Sequence, residues 1–301
     1  MRRDIKFRSE GLQCAGWLFI PDDLQPGKKR PAIVMAHGFS ATKEMYLQFF
    51  AEAFCKAGFV VMVFDYRFLG ASEGEPRGQI IPHQQHQDYR NAITWVQQQP
   101  EVDPGKIGVW GSSYSGAHVL HLAAFDKRIK AVVSQVPAVD CFANAKRLMR
   151  ADHFEGFRDA LLADRAQRYA GGPINYAEVV ALQGSPCALP TPDSYDWFTK
   201  THESLAPSWM NKVTLESLEY FLEYRPITSI ELIAPTPLMM VVAKGDVLVP
   251  ADLAIEAFSR AREVKALELL PGGHFDAYLP GGDFDHASGC STSWFKKHLM
   301  S

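Results

Sequence analysis

The sequence has no cysteines at short spacing, no glycine loop of the nucleotide-binding kind and no metal-ligand motif, and each absence excludes a class of protein. The five cysteines of the 301-residue chain are an odd number and are scattered, so we expect no disulfide framework and a reducing, cytoplasmic location. Neither G-x-G-x-x-G nor a P-loop occurs, so no nucleotide cofactor is expected, and no other cofactor is implied.

Strong charge of either sign is also missing. The formal net charge is only -3 and no run of lysine and arginine is present, so neither a nucleic acid nor a membrane is an expected partner. The opening residues MRRDIKFRSEG carry charge without a following apolar segment, so no secretory signal is expected. Runs such as FVVMVF are too short to span a bilayer.

Apolar residues, by contrast, are plentiful and ordered. Continuous apolar runs, as in PAIVMAHGF, FVVMVFDYR, KIGVW, IKAVVSQVPAV and TPLMMVVAKGD, are typical of buried parallel strands. Segments with helical spacing lie between most of them, and DIKFRS and LQCAGWLFIP resemble a pair of strands at the start. This alternation predicts an α/β fold with a mostly parallel central sheet and helices on both faces.

Two of the intervening helices have a definite predicted face. One helix is expected to present Tyr46, Phe50, Ala53 and Ala57, and the other Tyr89, Ala92, Ile93 and Val96. The second helix is expected to begin near Asp88, because PHQQHQD before it has the composition of a polar loop.

The strand–helix alternation stops for one interval of the chain. Residues 141–226 contain helix-like segments joined by Gly/Pro-rich loops, among them AGGPINY and QGSPCALPTPDSYDW, and no buried-strand run. We therefore predict a helical cap insertion over 141–226, with the core formed by residues 1–140 and 227–301. Its aromatic side chains are expected to form mostly the small core of the cap, with a minority lining an apolar pocket. They are Phe154, Phe157, Tyr195, Trp197, Phe198, Trp209, Phe221 and Tyr224.

The stretch GVWGSSYSGAHVL, residues 108–120, places three serines between a strand and a helix. A sharp strand-to-helix turn that exposes a nucleophile needs small residues two positions before and after it. Gly111 and Ser115 flank Ser113 at that spacing, and Gly116 follows, so Ser113 is the predicted nucleophile. The pattern is G-x-S-x-S-G, in which Ser115 replaces the usual glycine. A Ser/Gly-rich turn without chemistry is the alternative interpretation.

A serine hydroxyl needs a base, and the base needs an orienting carboxylate. Asp246 follows the strand-like run PLMMVVA, and His274 follows KALELL. All three residues therefore follow predicted parallel strands, whose carboxyl ends meet at one edge of the sheet. Taken singly, Asp246 could cap the helix that starts near Ala251, and His274 could be an ordinary loop histidine.

Other titratable residues are weaker candidates. His286 is a rival base, but it follows a polar loop instead of a strand, and Asp276, two residues from His274, is a rival orienting group only if Asp246 fails. His83 and His86 form an H-x-x-H spacing, yet a zinc site needs three or four ligands and no third is evident, so no metal is expected.

These motifs together resemble those of the α/β-hydrolase superfamily over nearly all of the chain except the cap. HGFSATKE resembles the oxyanion segment, FDYRFLGASEG resembles D-x-R-G-x-G-x-S, and GSSYSG, AKGDVLVP and PGGHF resemble the three triad signatures. Within the α/β-hydrolase superfamily, the chain is similar to dienelactone-hydrolase-like and prolyl-peptidase-like esterases, and to the group that contains polyketide-processing hydrolases and acyltransferases. Dienelactone hydrolases carry cysteine at the nucleophile position, so their specific activity is not implied.

The resemblance implies a serine hydrolase that cleaves a carboxylic ester or thioester of a small, largely apolar substrate. It places the oxyanion hole at the backbone N–H groups of Tyr114 and Phe39, with His37 holding the loop. Acyl transfer by the same acyl-enzyme, peptide cleavage and a non-catalytic binding role remain alternatives. The substrate itself and the oligomeric state, a homodimer included, are left open.

Overall fold

The computed structural model describes residues 1–300. Ten strands are present among them. They are β1 (Arg2–Ser9), β2 (Leu12–Phe19), β3 (Arg30–Ala36), β4 (Val60–Phe64), β5 (Val102–Ser112), β6 (Ile129–Gln135), β7 (Tyr176–Ala177), β8 (Val213–Thr214), β9 (Leu238–Ala243) and β10 (Lys265–Leu270).

Nine α-helices accompany the strands in the same described range. They are α1 (Leu47–Lys56), α2 (Pro82–Gln97), α3 (Tyr114–Phe125), α4 (Cys141–Leu148), α5 (Ala151–Tyr169), α6 (Pro192–Ser204), α7 (Leu215–Glu223), α8 (Ala251–Arg260) and α9 (Phe284–Leu299). Two short 3-10 helices, Pro226–Leu232 and Asp276–Tyr278, lie before β9 and after β10.

Eight strands form one sheet in the order β1-β2-β4-β3-β5-β6-β9-β10. The pairs of β1 with β2 and of β2 with β4 are antiparallel, and the remaining pairs are parallel. Strands β4 and β9 are buried along their whole length, as expected for parallel strands covered on both faces by helices. The predicted fold class is confirmed.

The strand order changes direction beside β3. From β3 the chain passes to β4 on one side, whereas β5 pairs with β3 on its other side and the chain then moves away to β6. Connections that leave two neighbouring parallel strands in opposite directions open a crevice at their carboxyl ends. The loops after β3 and β5 meet at this crevice.

The chain between β6 and β9 contains the four helices α4 to α7 and a two-stranded ribbon of β7 and β8. We refer to residues 141–226 as the helical segment; its status as a separate domain stays a prediction. The prediction of a loop over the whole of QGSPCALPTPDSYDW is wrong for its last residues, because α6 begins within this stretch, at Pro192. Proline favours the first position of a helix, where its missing N–H is not needed.

Two further details of the helix predictions need correction. Helix α1 starts after Tyr46 and buries Leu47, Phe50, Ala51 and Phe54, so of the predicted face only Phe50 is fully buried. Helix α2 begins at Pro82, six residues before the predicted start, so PHQQHQD is helical. Its predicted face of Tyr89, Ala92, Ile93 and Val96 is buried as expected.

Candidate active site

Ser113 lies in the sharp turn between β5 and α3. Its backbone has φ 58° and ψ −119°, a conformation that a residue with a side chain rarely adopts. The neighbouring small residues make the turn possible. A Cβ on Gly111 would lie 2.2 Å from the Ser115 carbonyl oxygen, and one on Gly116 would lie 2.7 Å from the Gln135 carbonyl oxygen. Larger residues at either position would push the strand and the helix apart.

The three serines of this turn have different surroundings. Ser112 Oγ and the Tyr278 hydroxyl are hydrogen-bonded at 2.5 Å, and Ser115 Oγ and the Tyr66 hydroxyl at 2.9 Å. Both of these serines are fully buried. Ser113 is only partly buried, and it is the serine whose hydroxyl faces an imidazole. The hydroxyl that Ser115 adds in place of glycine is therefore buried and hydrogen-bonded.

A continuous hydrogen-bond chain joins Ser113, His274 and Asp246. His274 Nε2 lies 3.1 Å from Ser113 Oγ, and His274 Nδ1 lies 2.6 Å from Asp246 Oδ2. The other carboxylate oxygen of Asp246 accepts from the N–H groups of Leu248 and Val249, at 2.9 and 2.6 Å. A carboxylate only accepts, so Nδ1 carries a proton and donates to Asp246, while Nε2 faces the serine hydroxyl.

The rival residues lie elsewhere. His286 is exposed on α9, and its Nε2 is 3.4 Å from Glu268 Oε2. Asp276 accepts the Gly273 N–H at 2.7 Å and thereby shapes the loop that carries His274, without contacting the imidazole. The structure thus brings together the three residues predicted from strand ends and not these alternatives.

The backbone N–H groups of Phe39 and Tyr114 border the same crevice. Phe39 follows β3, Tyr114 is the first residue of α3, and their rings pack edge to face at 5.4 Å. Within residues 1–300, neither N–H donates a hydrogen bond to another protein group. Free N–H groups at a helix N-terminus favour negative charge, so this position suits an oxyanion. The Tyr114 ring is buried and stacks on Phe221.

The loop that follows β3 is held from two sides. On the core side, the Lys43 ammonium and backbone N–H donate to the two oxygens of Asp65, at 2.8 and 2.7 Å. His37 packs against the Tyr66 ring, and burial lowers the pKa of His37, so its imidazole is neutral. On the other side, the indole N–H of Trp209, from the helical segment, donates to the Ser40 carbonyl at 2.9 Å.

Two cavities meet at Ser113. The larger has a volume of about 950 Å³ and lies between the sheet edge and the helical segment. Its walls include Phe39, Leu148, Phe157, Leu218, Phe221 and Val249, and Arg150, His153 and Glu178 are the His, Lys, Arg, Asp or Glu residues among them. The smaller has a volume of about 20 Å³ and is lined by Ser113, His274 and the aromatic side chains Trp197, Phe198, Phe275 and Tyr278.

One histidine of the H-x-x-H pair, His86, belongs to a separate buried cluster. His86 is buried and its Nε2 lies 3.2 Å from His118 Nδ1 and 2.9 Å from the Tyr224 hydroxyl, whereas His83 is exposed. Burial lowers the pKa of His86 and of His118 well below the usual range. Among residues 1–300, no group of three or more histidine, cysteine, aspartate or glutamate side chains could hold a metal ion.

The mostly parallel sheet, the turn at Ser113 and the residues gathered at its carboxyl edge define an α/β-hydrolase. The chain belongs to the family described as X-Pro dipeptidyl-peptidase (S15 family), which matches residues 11–276. In the part of the chain that the structure describes, no helix is both long and apolar enough to cross a membrane.

Relatives of nearly full length carry several different names. The chain is 30% identical to polyketide transferase grgF of a Penicillium species, over 99% of this chain and 97% of the relative. It is 32% identical to thiohydrolase aneE of Aspergillus aculeatus, over 92% and 86%. It is 30% identical to the quorum-quenching protein AidA of Acinetobacter baumannii, over 92% and 88%.

Solved structures resemble the whole chain. The crystal structure of the α/β-hydrolase GrgF from Penicillium sp. sh18 superposes with a TM-score of 0.85 at 29% identity, covering 100% of both chains. The structure of DcsB in complex with its substrate analogue gives a TM-score of 0.88 at 25% identity, again over 100% of both chains. The helical segment is therefore within the region that these structures share with the chain.

Proposed function

We propose that the protein is a serine hydrolase that cleaves a carboxylic ester or thioester through a covalent acyl-enzyme. The observation that carries this proposal is the hydrogen-bond chain from Ser113 through His274 to Asp246, beside two N–H groups that have no acceptor among residues 1–300. A serine hydroxyl becomes an effective nucleophile when a neighbouring imidazole accepts its proton and a carboxylate orients that imidazole.

The reaction has two steps. In the first, Ser113 Oγ bonds to the carbonyl carbon, the bond to the leaving oxygen or sulfur breaks, and His274 transfers the serine proton to the leaving atom. In the second, a water oxygen bonds to the carbon, the bond to Oγ breaks, and His274 returns a water proton to Oγ. The Phe39 and Tyr114 N–H groups stabilise the oxyanion in both steps, and Asp246 stabilises the imidazolium.

The cavity of about 950 Å³ suggests the substrate class. Its walls are mainly apolar, which suits an acyl chain rather than a highly charged group. The name thiohydrolase of one relative supports including thioesters with esters. We therefore expect a small-molecule substrate with a largely apolar acyl part.

Turnover of a methyl ester series tests this proposal. The wild-type protein should release acid from methyl esters of medium-chain acids, and Ser113→Ala should lower kcat by a factor of about 10⁶, as in comparable triads. Ser293→Ala, at an exposed position of α9, is the matched control and should retain activity. A Ser113→Ala variant that turns over the ester at the wild-type rate would refute the assignment of the nucleophile.

Acyl transfer and peptide cleavage use the same acyl-enzyme chemistry and are measured in the same experiment. The relative named polyketide transferase favours acyl transfer as the second candidate, and the family description includes a dipeptidyl-peptidase. Adding an alcohol or amine acceptor to the ester assay measures transfer, and an X-Pro peptide derivative measures peptidase activity. Hydrolysis of the ester in preference to both is the result we expect.

A further inference from the structure

The two cavities that meet at Ser113 differ almost fifty-fold in volume, about 950 against about 20 Å³. Ser113 borders both of them, whereas His274 borders only the smaller one. A cavity needs roughly 10–15 Å³ by this measure to hold one water molecule. The smaller cavity, which we call the small chamber, therefore has room for about one water molecule.

The chemistry assigns a role to each side. His274 Nε2 protonates the leaving atom in the first step and takes a proton from the acceptor in the second, so both groups must lie next to this nitrogen. The small chamber is the space next to it. The acyl part, which needs no proton transfer, then extends into the large cavity.

Helix α6 of the helical segment contributes Trp197 and Phe198 to the wall of the small chamber. Trp197 is nearly fully buried and stacks on Phe275, the residue after His274, at 4.9 Å between ring centroids and 25° between ring planes. Its ring also packs edge to face on Phe198, at 4.9 Å. Phe198 is buried too and packs against Trp209, whose indole N–H holds the loop after β3. These contacts thus connect Trp197 and Phe198 both to the loop that carries His274 and to the loop after β3.

We propose that Trp197 and Phe198 set the size of the group that can bond to the acyl carbon on the His274 side. The proposal rests on the function proposed above and deepens it. The chamber admits water as the acceptor and favours substrates with a small leaving group, such as a methyl ester. The same size limit applies to the leaving group and to the acceptor. Both occupy the small chamber, the leaving group in the first step and the acceptor in the second.

The first test is a series of esters with one acyl chain and alcohols of increasing size: methyl, ethyl, butyl and cyclohexyl. For the wild type, kcat/KM should fall by about tenfold or more from methyl to butyl, the range that added methylenes produce in a tight pocket. Trp197→Ala should reduce this ratio several-fold, and in the presence of 1-butanol it should form butyl ester that the wild type does not form. Phe198→Leu, a smaller change, should shift both measurements in the same direction.

Phe157→Ala is the matched control, because Phe157 lines the large cavity and not the small one. It should change the dependence of kcat/KM on acyl length and leave the dependence on alcohol size as in the wild type. A wild-type profile that is flat across the alcohols would overturn the proposal, and so would a Trp197→Ala variant that alters only acyl preference. The wild-type series gives this answer even if a variant does not fold. Absence of all methyl ester turnover would instead refute the underlying hydrolase function.

Discussion

Ser113 has a positive φ that only a well-supported turn tolerates, and the support comes from individual neighbouring side chains. Ser115 is one of them: its hydroxyl and that of Tyr66 form a hydrogen bond in a fully buried place. The sequence predicted a small residue here but contained no indication of this partner, because Tyr66 lies 49 positions away in the chain.

Replacing Ser115 with alanine should therefore destabilise the protein without removing the nucleophile. The Tyr66 hydroxyl would be left buried and unpaired, which costs about 1–3 kcal/mol of unfolding free energy. Urea denaturation of Ser115→Ala measures this loss, and Ser293→Ala should stay within about 0.5 kcal/mol of the wild type. A stability for Ser115→Ala equal to that of the control would mean that the hydrogen bond contributes nothing.

Gly38 gives a second prediction at the level of one residue. A Cβ at this position would lie 2.9 Å from the Ser113 Cβ, so alanine must displace either the loop after β3 or the turn. We expect Gly38→Ala to lower kcat by at least about tenfold, since small misplacements of catalytic groups reduce rates strongly. Gly289→Ala, on α9 with open space around it, should leave kcat unchanged. Equal activities of the two variants would argue against a close-packed site.

At the level of elements, two errors in helix starts have the same physical origin. The first residues of α6 and of α2 were interpreted as loops, the former from a Gly/Pro-rich composition and the latter from a polar one, yet a proline begins each helix, at Pro192 and Pro82. A proline at the first helical position starts a helix instead of breaking it. The strands were predicted well, because continuous apolar runs between turn residues are a local signal.

The element α6 also explains why part of the site was not predictable. The order Ser113, Asp246, His274 follows from strand ends and needs no knowledge of packing. The small chamber, however, depends on how Trp197 of α6 stacks on Phe275, more than seventy residues later in the chain. Sequence analysis named Trp197 among the aromatic residues but had no means of placing it beside His274.

One hydrogen bond between elements should matter for activity. The Trp209 indole N–H donates to the Ser40 carbonyl and so links the helical segment to the loop after β3. Trp209→Phe should lower kcat/KM by roughly threefold to tenfold, the equivalent of one hydrogen bond of about 0.5–1.5 kcal/mol. Trp95→Phe, on the partly exposed side of α2, is the control. Equal steady-state kinetics for both variants would show that the link does not position the loop.

At the scale of the whole molecule, the buried histidines make stability depend on pH. Burial lowers the pKa of His86 and His118 well below the usual range, and burial, aided by Arg90 and His83, lowers that of His121 to about 4. In the unfolded chain the same groups bind protons near pH 6.5. Below that pH the unfolded state holds more protons than the folded state, so stability falls as pH falls.

Thermal unfolding between pH 7.5 and pH 5 measures this effect. The midpoint should fall steadily as the buffer becomes more acidic, and it should fall less in His121→Gln, which removes one of the groups. His121 is the suitable position because it is only partly buried, so its replacement disturbs the core least. A midpoint that is constant or rises toward pH 5 would contradict the assignment of neutral buried histidines.

The central claim, that Ser113 is the nucleophile, is tested most directly by mapping where a fluorophosphonate probe reacts. Fluoride is a small leaving group, so the reaction is compatible with the narrow chamber beside His274. Peptide mass spectrometry of the labelled native protein should find one adduct on Ser113, and none after heat denaturation before labelling. A folded protein that stays unlabelled, or that carries the adduct on Ser112 or Ser115, would contradict the account.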